Sequence, residues 1–289
     1  MAGDNTLRKP LAWYSPRLIF VNSMSDIFHE SLSFDDIARI WGVMAVTPYH
    51  TYQILTKRPD RMRDFLLSDK ALNSVMEEAL NYRPDIPIMP WPLPNIWAGT
   101  SVEDQPRAKE RIQILLEVNA AVRFLSIEPL LGPVRLSKEI RKAADWKRLH
   151  WVIVGGESGP NARPMHPEWA SAIREECATH RVKFFFKQVG SHAWVKDGKA
   201  KEFLGVDGRI SSVRQRKTDQ GLLRGLKESG GRRLDGKMHE AMPDRSLGFA
   251  NFFAGQGNRV TLEQRMREIE LAMSCRDEDI AEFASRPAW

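Results

Sequence analysis

Two glutamates and a lysine stand where the chain could do chemistry. Glu157 follows the apolar run Trp151-Val152-Ile153-Val154 and the pair Gly155-Gly156; Glu128 follows Val122-Arg123-Phe124-Leu125-Ser126-Ile127; Lys187 follows Val182-Lys183-Phe184-Phe185-Phe186. A buried strand carries a charge in its interior only at high cost, so each group is expected just past a strand's C-terminal end. Two carboxylates beside one cation could serve there as general bases or ligand anchors, with Lys187 setting their charge state. The same three groups together with Arg58 could instead form a structural ion-pair network that closes the rim. The glycine pair is not a phosphate loop, because neither G-x-x-x-x-G-K-[ST] nor G-x-G-x-x-G is present.

Neutral hydrogen-bonding residues occupy equivalent places. Asn22, Ser23, Thr100, Ser101, Ser126 and Gln188 are of the types that hold a ribose or an amino-acid head group, and loop capping would use the same residues. Asp26, Lys57, Arg58, Glu103 and Ser158 complete the expected ligand-binding set, with Gly155 and Gly156 allowing close backbone approach. Asp26 and His29 have a spacing that suits a metal but lack a third ligand, so no metal site is expected. The chain has two cysteines, Cys177 and Cys275, far apart and outside any C-x-x-C motif.

These residues need elements to position them, and the pattern supplies a repeating unit. Leu18-Ile19-Phe20-Val21 reads as a strand that opens into Asn22–Asp26, and Ser33 is placed to cap a helix with Ile37, Ile40, Trp41 and Met44 inward and Asp36 in a capping box. Tyr52–Leu55 repeats the strand; Pro59 begins a helical stretch from about 60 to 82. After a proline-rich spacer, Ile96–Ala98 is a third strand whose helix carries Ile112, Leu115 and Leu116 on one face. Val122–Leu125 and Trp151–Val154 follow, then a helix from Pro167 with Trp169, Ile173 and Cys177 inward, then Val182–Phe186. Six strands alternating with helices predict a parallel sheet. Polar ends on all six favour an α/β, (β/α) partial TIM-type barrel over a doubly wound sheet.

The expected division is a barrel over residues 1–200 and a C-terminal extension over 201–289. The extension begins as a basic, glycine-interrupted loop over 207–233 and ends in an amphipathic helix around 262–273. Arg214, Arg216, Lys217, Arg224, Arg232 and Arg233 are its candidate nucleic-acid contacts, although no aromatic residues interleave them for base stacking. The whole chain has 289 residues, 42% hydrophobic and 28% charged, with a formal net charge of +6. A pI near 9.4 favours polyanionic partners without choosing among them. No apolar run reaches the roughly 18 residues of a membrane span and the N-terminus is polar, so a cytoplasmic location is the default expectation.

Six motifs in order carry a resemblance: Val21-Asn22-Ser23-Met24-Ser25-Asp26, Leu55-Thr56-Lys57-Arg58-Pro59, Gly99-Thr100-Ser101-Val102-Glu103, Ser126-Ile127-Glu128-Pro129-Leu130, Gly155-Gly156-Glu157-Ser158-Gly159 and Phe185-Phe186-Lys187-Gln188. Over roughly residues 10 to 195 the chain resembles the phage and prophage proteins of unknown function named after phage gene products thirty-seven and sixty-eight. Arg233-Leu234-Asp235-Gly236 resembles that family's tail. Members of the family resemble radical S-adenosylmethionine enzymes, which implies a partial (β/α) barrel and S-adenosylmethionine as a candidate ligand. It also implies a [4Fe–4S] cluster held by three thiolates of a cysteine-rich loop ahead of the second strand. Such a loop is missing here, so the expectation is either a truncated reading frame or a lineage that has lost the cluster, without radical activity in this form. The function expected is small-molecule binding at the strand ends, with modification of nucleic acid or of a nucleotide as the expected ancestral activity. The alternative is a non-enzymatic nucleic-acid-binding accessory protein acting through the basic segment.

Overall fold

A computed structural model describes residues 4–250, apart from 14, 85–90, 196–199, 201, 213, 225–230 and 249. A short helix α1 (Asp4–Leu7) precedes the first strand, β1 (Leu18–Val21). Ser33 then caps α2 (Phe34–Ala45): its Oγ accepts from the Asp36 amide at 3.1 Å, and Asp36 accepts from the Ser33 amide at 3.0 Å. This is the reciprocal box the sequence predicts. Ile37, Trp41 and Met44 are buried, and Ile40 lies half-exposed at the edge of the stripe.

β2 (Thr51–Thr56) leads into two helices where one stretch is expected, α3 (Pro59–Leu67) and α4 (Asp69–Tyr82). Ser68 causes the break. It is extended and caps α4 by accepting from the Ala71 amide, so apolar periodicity continues across a residue that the backbone uses as a corner. Trp41, Phe65 and Phe28 meet edge to face beneath these helices, with centroids 5.1 to 6.0 Å apart.

β3 (Ile96–Ser101), α5 (Gln105–Glu117), β4 (Val122–Ile127), α6 (Ala143–Trp146), β5 (Trp151–Gly155), α7 (Pro167–His180) and β6 (Lys183–Gln188) continue the alternation. The expected inward residues of α5 and α7 are buried. Six strands form one sheet in the order β1-β2-β3-β4-β5-β6, with parallel pairing in β1–β2, β4–β5 and β5–β6. A sequential order has no switch point, so the doubly wound alternative is excluded. β3, β4, β5 and β6 run three, two, one and two residues further than expected, which places Gly99, Thr100, Ser101, Ser126, Gly155, Lys187 and Gln188 inside strands rather than in the loops beyond.

Residues 207–233 are not the single loop that their charge suggests. β7 (His192–Val195), β8 (Glu202–Leu204), β9 (Ile210–Ser211) and β10 (Gln220–Arg224) form an antiparallel sheet in the order β7-β10-β8-β9, followed by the hairpin of β11 (Arg233–Leu234) and β12 (Lys237–Met238). Leu204, Leu222 and Leu234 supply its buried apolar groups. Trp194 and Trp169 fasten it, donating to the carbonyls of Met165 and Val206 at 2.8 and 2.7 Å. The expected helix at 262–273 lies outside the described residues. Among the described residues no helix is long and apolar enough to cross a membrane.

The chain clusters into two compact units, one drawn from Met1–Gly99, Glu117–Arg123 and the stretch from Asp244, the other from Thr100–Leu116 and Phe124–Pro243. In the first, buried His50 ties the start of β2 to the N-terminal segment, accepting from the Arg17 amide at 3.1 Å and meeting the Pro10 carbonyl at 3.2 Å. Burial pushes its pKa down to about 4. A depressed pKa contributes stability above the ordinary histidine value that is lost as pH falls through the folded value. We expect tryptophan fluorescence to report an acid transition of this unit between about pH 6.5 and 4, and His50→Gln to make it shallower; an unchanged slope would place the acid sensitivity elsewhere.

Candidate functional site

The second unit brings Glu128, Lys187 and Gln188 together. Alternation along β4 puts Phe124, Ser126 and Glu128 on one face, and the register sets Phe124 opposite Trp151 and Ser126 opposite Ile153. Lys187 Nζ lies 3.1 Å from Glu128 Oε2, and Gln188 Nε2 lies 3.3 Å from Oε1. Neighbouring residues of a regular strand point to opposite faces and could not both reach one carboxylate. A register shift between Val154 and Gly155 resolves this: Val154 pairs with Phe186 but Gly155 pairs with Gln188, leaving Lys187 as the extra residue of a bulge.

The carboxylate is packed onto a glycine. A Cβ at position 155 would stand 2.9 Å from Glu128 Oε1, so any side chain there would displace the acid. Gly156 is tighter still, since its Cβ would fall 1.9 Å from the Val189 carbonyl oxygen. The two loops touch backbone to backbone, joined by bonds from the Gly156 amide to the Gln188 carbonyl and from the Ser191 amide to the Glu157 carbonyl, both 2.9 Å. Gln188 adds a bond to Ser158 Oγ at 2.9 Å.

The two expected carboxylates have opposite electrostatics. Only 2% of the Glu128 side chain and 5% of the Lys187 side chain are exposed. Burial raises the Glu128 pKa, against the opposing pull of Lys187 and of the hydrogen bonds from Lys187 and Gln188. Glu157 is partnered not by Lys187 but by Arg163, whose Nε and Nη2 donate to it at 2.8 and 2.7 Å, with the Arg163 amide donating at 2.7 Å. Those bonds lower its pKa. Arg163 was not expected from sequence: it lies six residues on, in a turn without periodicity.

The remaining expected residues separate. Thr100, Ser101 and Ser126 are buried within β3 and β4. Glu103 is held by Arg111 at 3.2 Å, which also donates to the Ser101 carbonyl. In the first unit, Asp26 accepts from the Phe28 amide, Thr56 Oγ1, the Lys57 amide and Arg58 Nη1 at 2.7 to 3.1 Å, which fills its roughly four acceptor positions. Arg58 also pairs with Glu30 at 3.3 Å. Asp26 and Arg58 thus fasten the ends of β1 and β2. Lys57 is exposed, Ser23 is half-buried, and Asn22 adopts a left-handed conformation with φ 57°. Asn22 and Asp26 border a cavity of about 620 Å³ with largely apolar walls, including Trp13, Phe20, Val43 and Tyr52.

Of the basic candidates, Arg214, Arg216 and Lys217 are exposed, whereas Arg232 pairs with Glu240 at 2.5 Å and Arg233 donates to the Gly236 carbonyl at 3.1 Å. The Arg224 side chain lies outside the described residues. Among the described residues no group of three or more His, Cys, Asp and Glu side chains could hold a metal ion. A three-thiolate cluster does not fit these residues, because the sequence contains two cysteines. Cys177 is buried in α7, and burial raises its thiol pKa, the reverse of what a thiolate ligand needs.

Fold and site together define an α/β protein with six parallel strands whose buried acid and its partners sit at the C-terminal ends of β4 and β6. The chain belongs to the protein family of unknown function DUF5131, which it matches over residues 1–243. No curated protein and no solved structure matches it.

Removing the buried cation should expose the electrostatics directly. Lys187→Met leaves Glu128 buried without its counter-charge, a loss of about 3–5 kcal/mol at pH 8. An acid with a raised folded pKa contributes stability at low pH that is lost as pH rises through that value. The deficit against wild type in urea unfolding should therefore shrink from pH 8 toward pH 5; a deficit independent of pH would show that the lysine contributes by packing alone.

Proposed function

We infer that the protein binds a small polar molecule at the C-terminal ends of β4–β6, with Glu128 as its anchoring acid. One observation carries this reading. Glu128 is buried, yet among the described residues only Lys187 and Gln188 donate to it, two donors for a carboxylate that can accept about four. Asp26, by contrast, is saturated. A purely structural buried pair would be matched or bettered by apolar residues of similar volume, whereas a site for a ligand's amine or hydroxyl needs the acid. The opposed pKa directions agree with it: burial shifts Glu128 toward its neutral form, while Arg163 holds Glu157 as a carboxylate that fixes its loop.

The resemblance to phage gene products and radical S-adenosylmethionine enzymes makes S-adenosylmethionine the first ligand to test. Its amino-acid head group would place an ammonium on Glu128 and a carboxylate acceptor near Gln188 and Ser158. Radical activity is not part of this reading, because the cysteines cannot hold the cluster.

The test is equilibrium dialysis with labelled S-adenosylmethionine on wild type, Glu128→Gln and the double variant Glu128→Met with Lys187→Met. Wild type should bind, and both variants should lose at least about tenfold, equivalent to one hydrogen bond to a charged group, while the apolar double variant stays folded. Equal binding by the folded double variant would overturn the site. Anaerobic iron–sulfur reconstitution should yield no reducible four-iron EPR signal; such a signal with cleavage of S-adenosylmethionine would overturn the non-radical reading.

A further inference from the structure

The positive charge of this chain is concentrated. Residues 191–243 hold twelve Lys and Arg against seven Asp and Glu, a net +5 of the chain's +6. Within that segment the turn before β10 is folded around a carboxylate of its own. Asp219 is 5% exposed, and its Oδ2 accepts from the backbone amides of Gln215 and Arg216, both at 2.8 Å. Arg214 Nη2 crosses back to the carbonyls of Lys217 and Asp219, each at 3.1 Å. One buried acid and one arginine thus fix the backbone, and Arg216 and Lys217 stand exposed on it.

A third cation joins them. The Arg209 amide donates to Asp207 Oδ1 at 3.2 Å while Arg216 Nη1 lies 3.2 Å from Oδ2 of the same aspartate, which brings Arg209 and Arg216 to one place. The Arg216–Asp207 pair is 61% and 38% exposed, and such surface pairs are worth little, so a stronger anion can replace it. The exposed positions carry no aromatic residue from Asp207 to Asp219, which removes the stacking platform that single strands use. What is left is a group of exposed cations on a hydrogen-bonded turn, a display of charge that phosphates can neutralise.

We propose that Arg209, Arg216 and Lys217 form a docking surface for the phosphate backbone of duplex nucleic acid, read without base specificity. Arg214 and Asp219 are positioning residues that hold the turn. Because the turn over 214–219 is already held by hydrogen bonds, docking there costs little conformational entropy and its strength follows the number of phosphates neutralised. This surface does not depend on the Glu128 site.

The experiment is fluorescence anisotropy of a labelled 20-base-pair duplex with the full chain from 50 to 200 mM salt. Arg209→Ala/Arg216→Ala/Lys217→Ala should lower the slope of log K against log salt by about 2 to 3, at roughly 0.9 per lost phosphate contact. Lys138→Ala/Arg141→Ala/Lys142→Ala removes equal charge from other exposed positions and should leave the slope unchanged. Asp219→Ala adds net positive charge yet releases the loop, and should weaken binding. Failure of wild type to bind the duplex, tighter binding to a single strand of the same length, equal loss in both triple variants or tighter binding by Asp219→Ala would each overturn the proposal. Heparin bound with undiminished affinity by the first triple variant would support it, since that would show the loss to be particular to the duplex.

Discussion

The buried pair of Glu128 and Lys187 is the constraint on which the second unit's strand ends depend. A carboxylate with 2% of its side chain exposed is tolerable only with a cation in contact, and the cation must come from a strand whose regular alternation cannot deliver both Lys187 and Gln188. The bulge at Lys187 answers that demand by placing one extra residue opposite β5. Gly155 answers another, since only a residue without a side chain leaves the acid its place. The geometry of three strands is thereby adjusted to one charge.

The surroundings of the other carboxylates show how unusual that charge is. Asp26 collects four donors and becomes a rivet between β1 and β2. Glu157 is gripped by a guanidinium and an amide and is held charged. Glu103 shares Arg111 with a backbone carbonyl. Glu128 alone of these four combines deep burial with few donors and an upward pKa. The cavity of the first unit offers volume and largely apolar walls, and of the two acids on its border Asp26 is saturated and Asp36 accepts from the Ser33 amide and hydroxyl.

Much of the fold was legible because it rests on local rules. The alternation of apolar runs with periodic stretches gave six strands and their helices in order, and Ser33 with Asp36 gave a helix start to the residue. The cost of burying charge placed Glu128 and Glu157 just past β4 and β5, where they lie, whereas Lys187, expected past its strand, is buried inside β6. The failures have physical sources too. Ser68 breaks a helix without breaking its apolar period. The strands of β7 to β10 are too short and too charged to show alternation, and they are fastened by indole bonds to distant parts of the sequence, Trp169 of α7 to the Val206 carbonyl and Trp194 of β7 to the Met165 carbonyl. A bulge is a property of two paired strands, so Lys187 could be expected at a rim but not its sharing of one carboxylate with Gln188. Arg163 was missed because turn residues carry no periodic signal.

Membership of a family and a parallel sheet leave the reaction open, since folds of this class host many chemistries. The side chains narrow it. A cluster chemistry would need low-pKa thiolates grouped in a loop, and the described cysteine is instead alone, inside a helix, with burial favouring its neutral form. Proton exchange needs only an acid displaced from its ordinary range beside a cation that can stabilise its conjugate base, and Glu128 with Lys187 has that form. Burial favours the neutral form of Glu128 and Lys187 favours its carboxylate, so the same balance that shapes the strands sets the charge this acid carries.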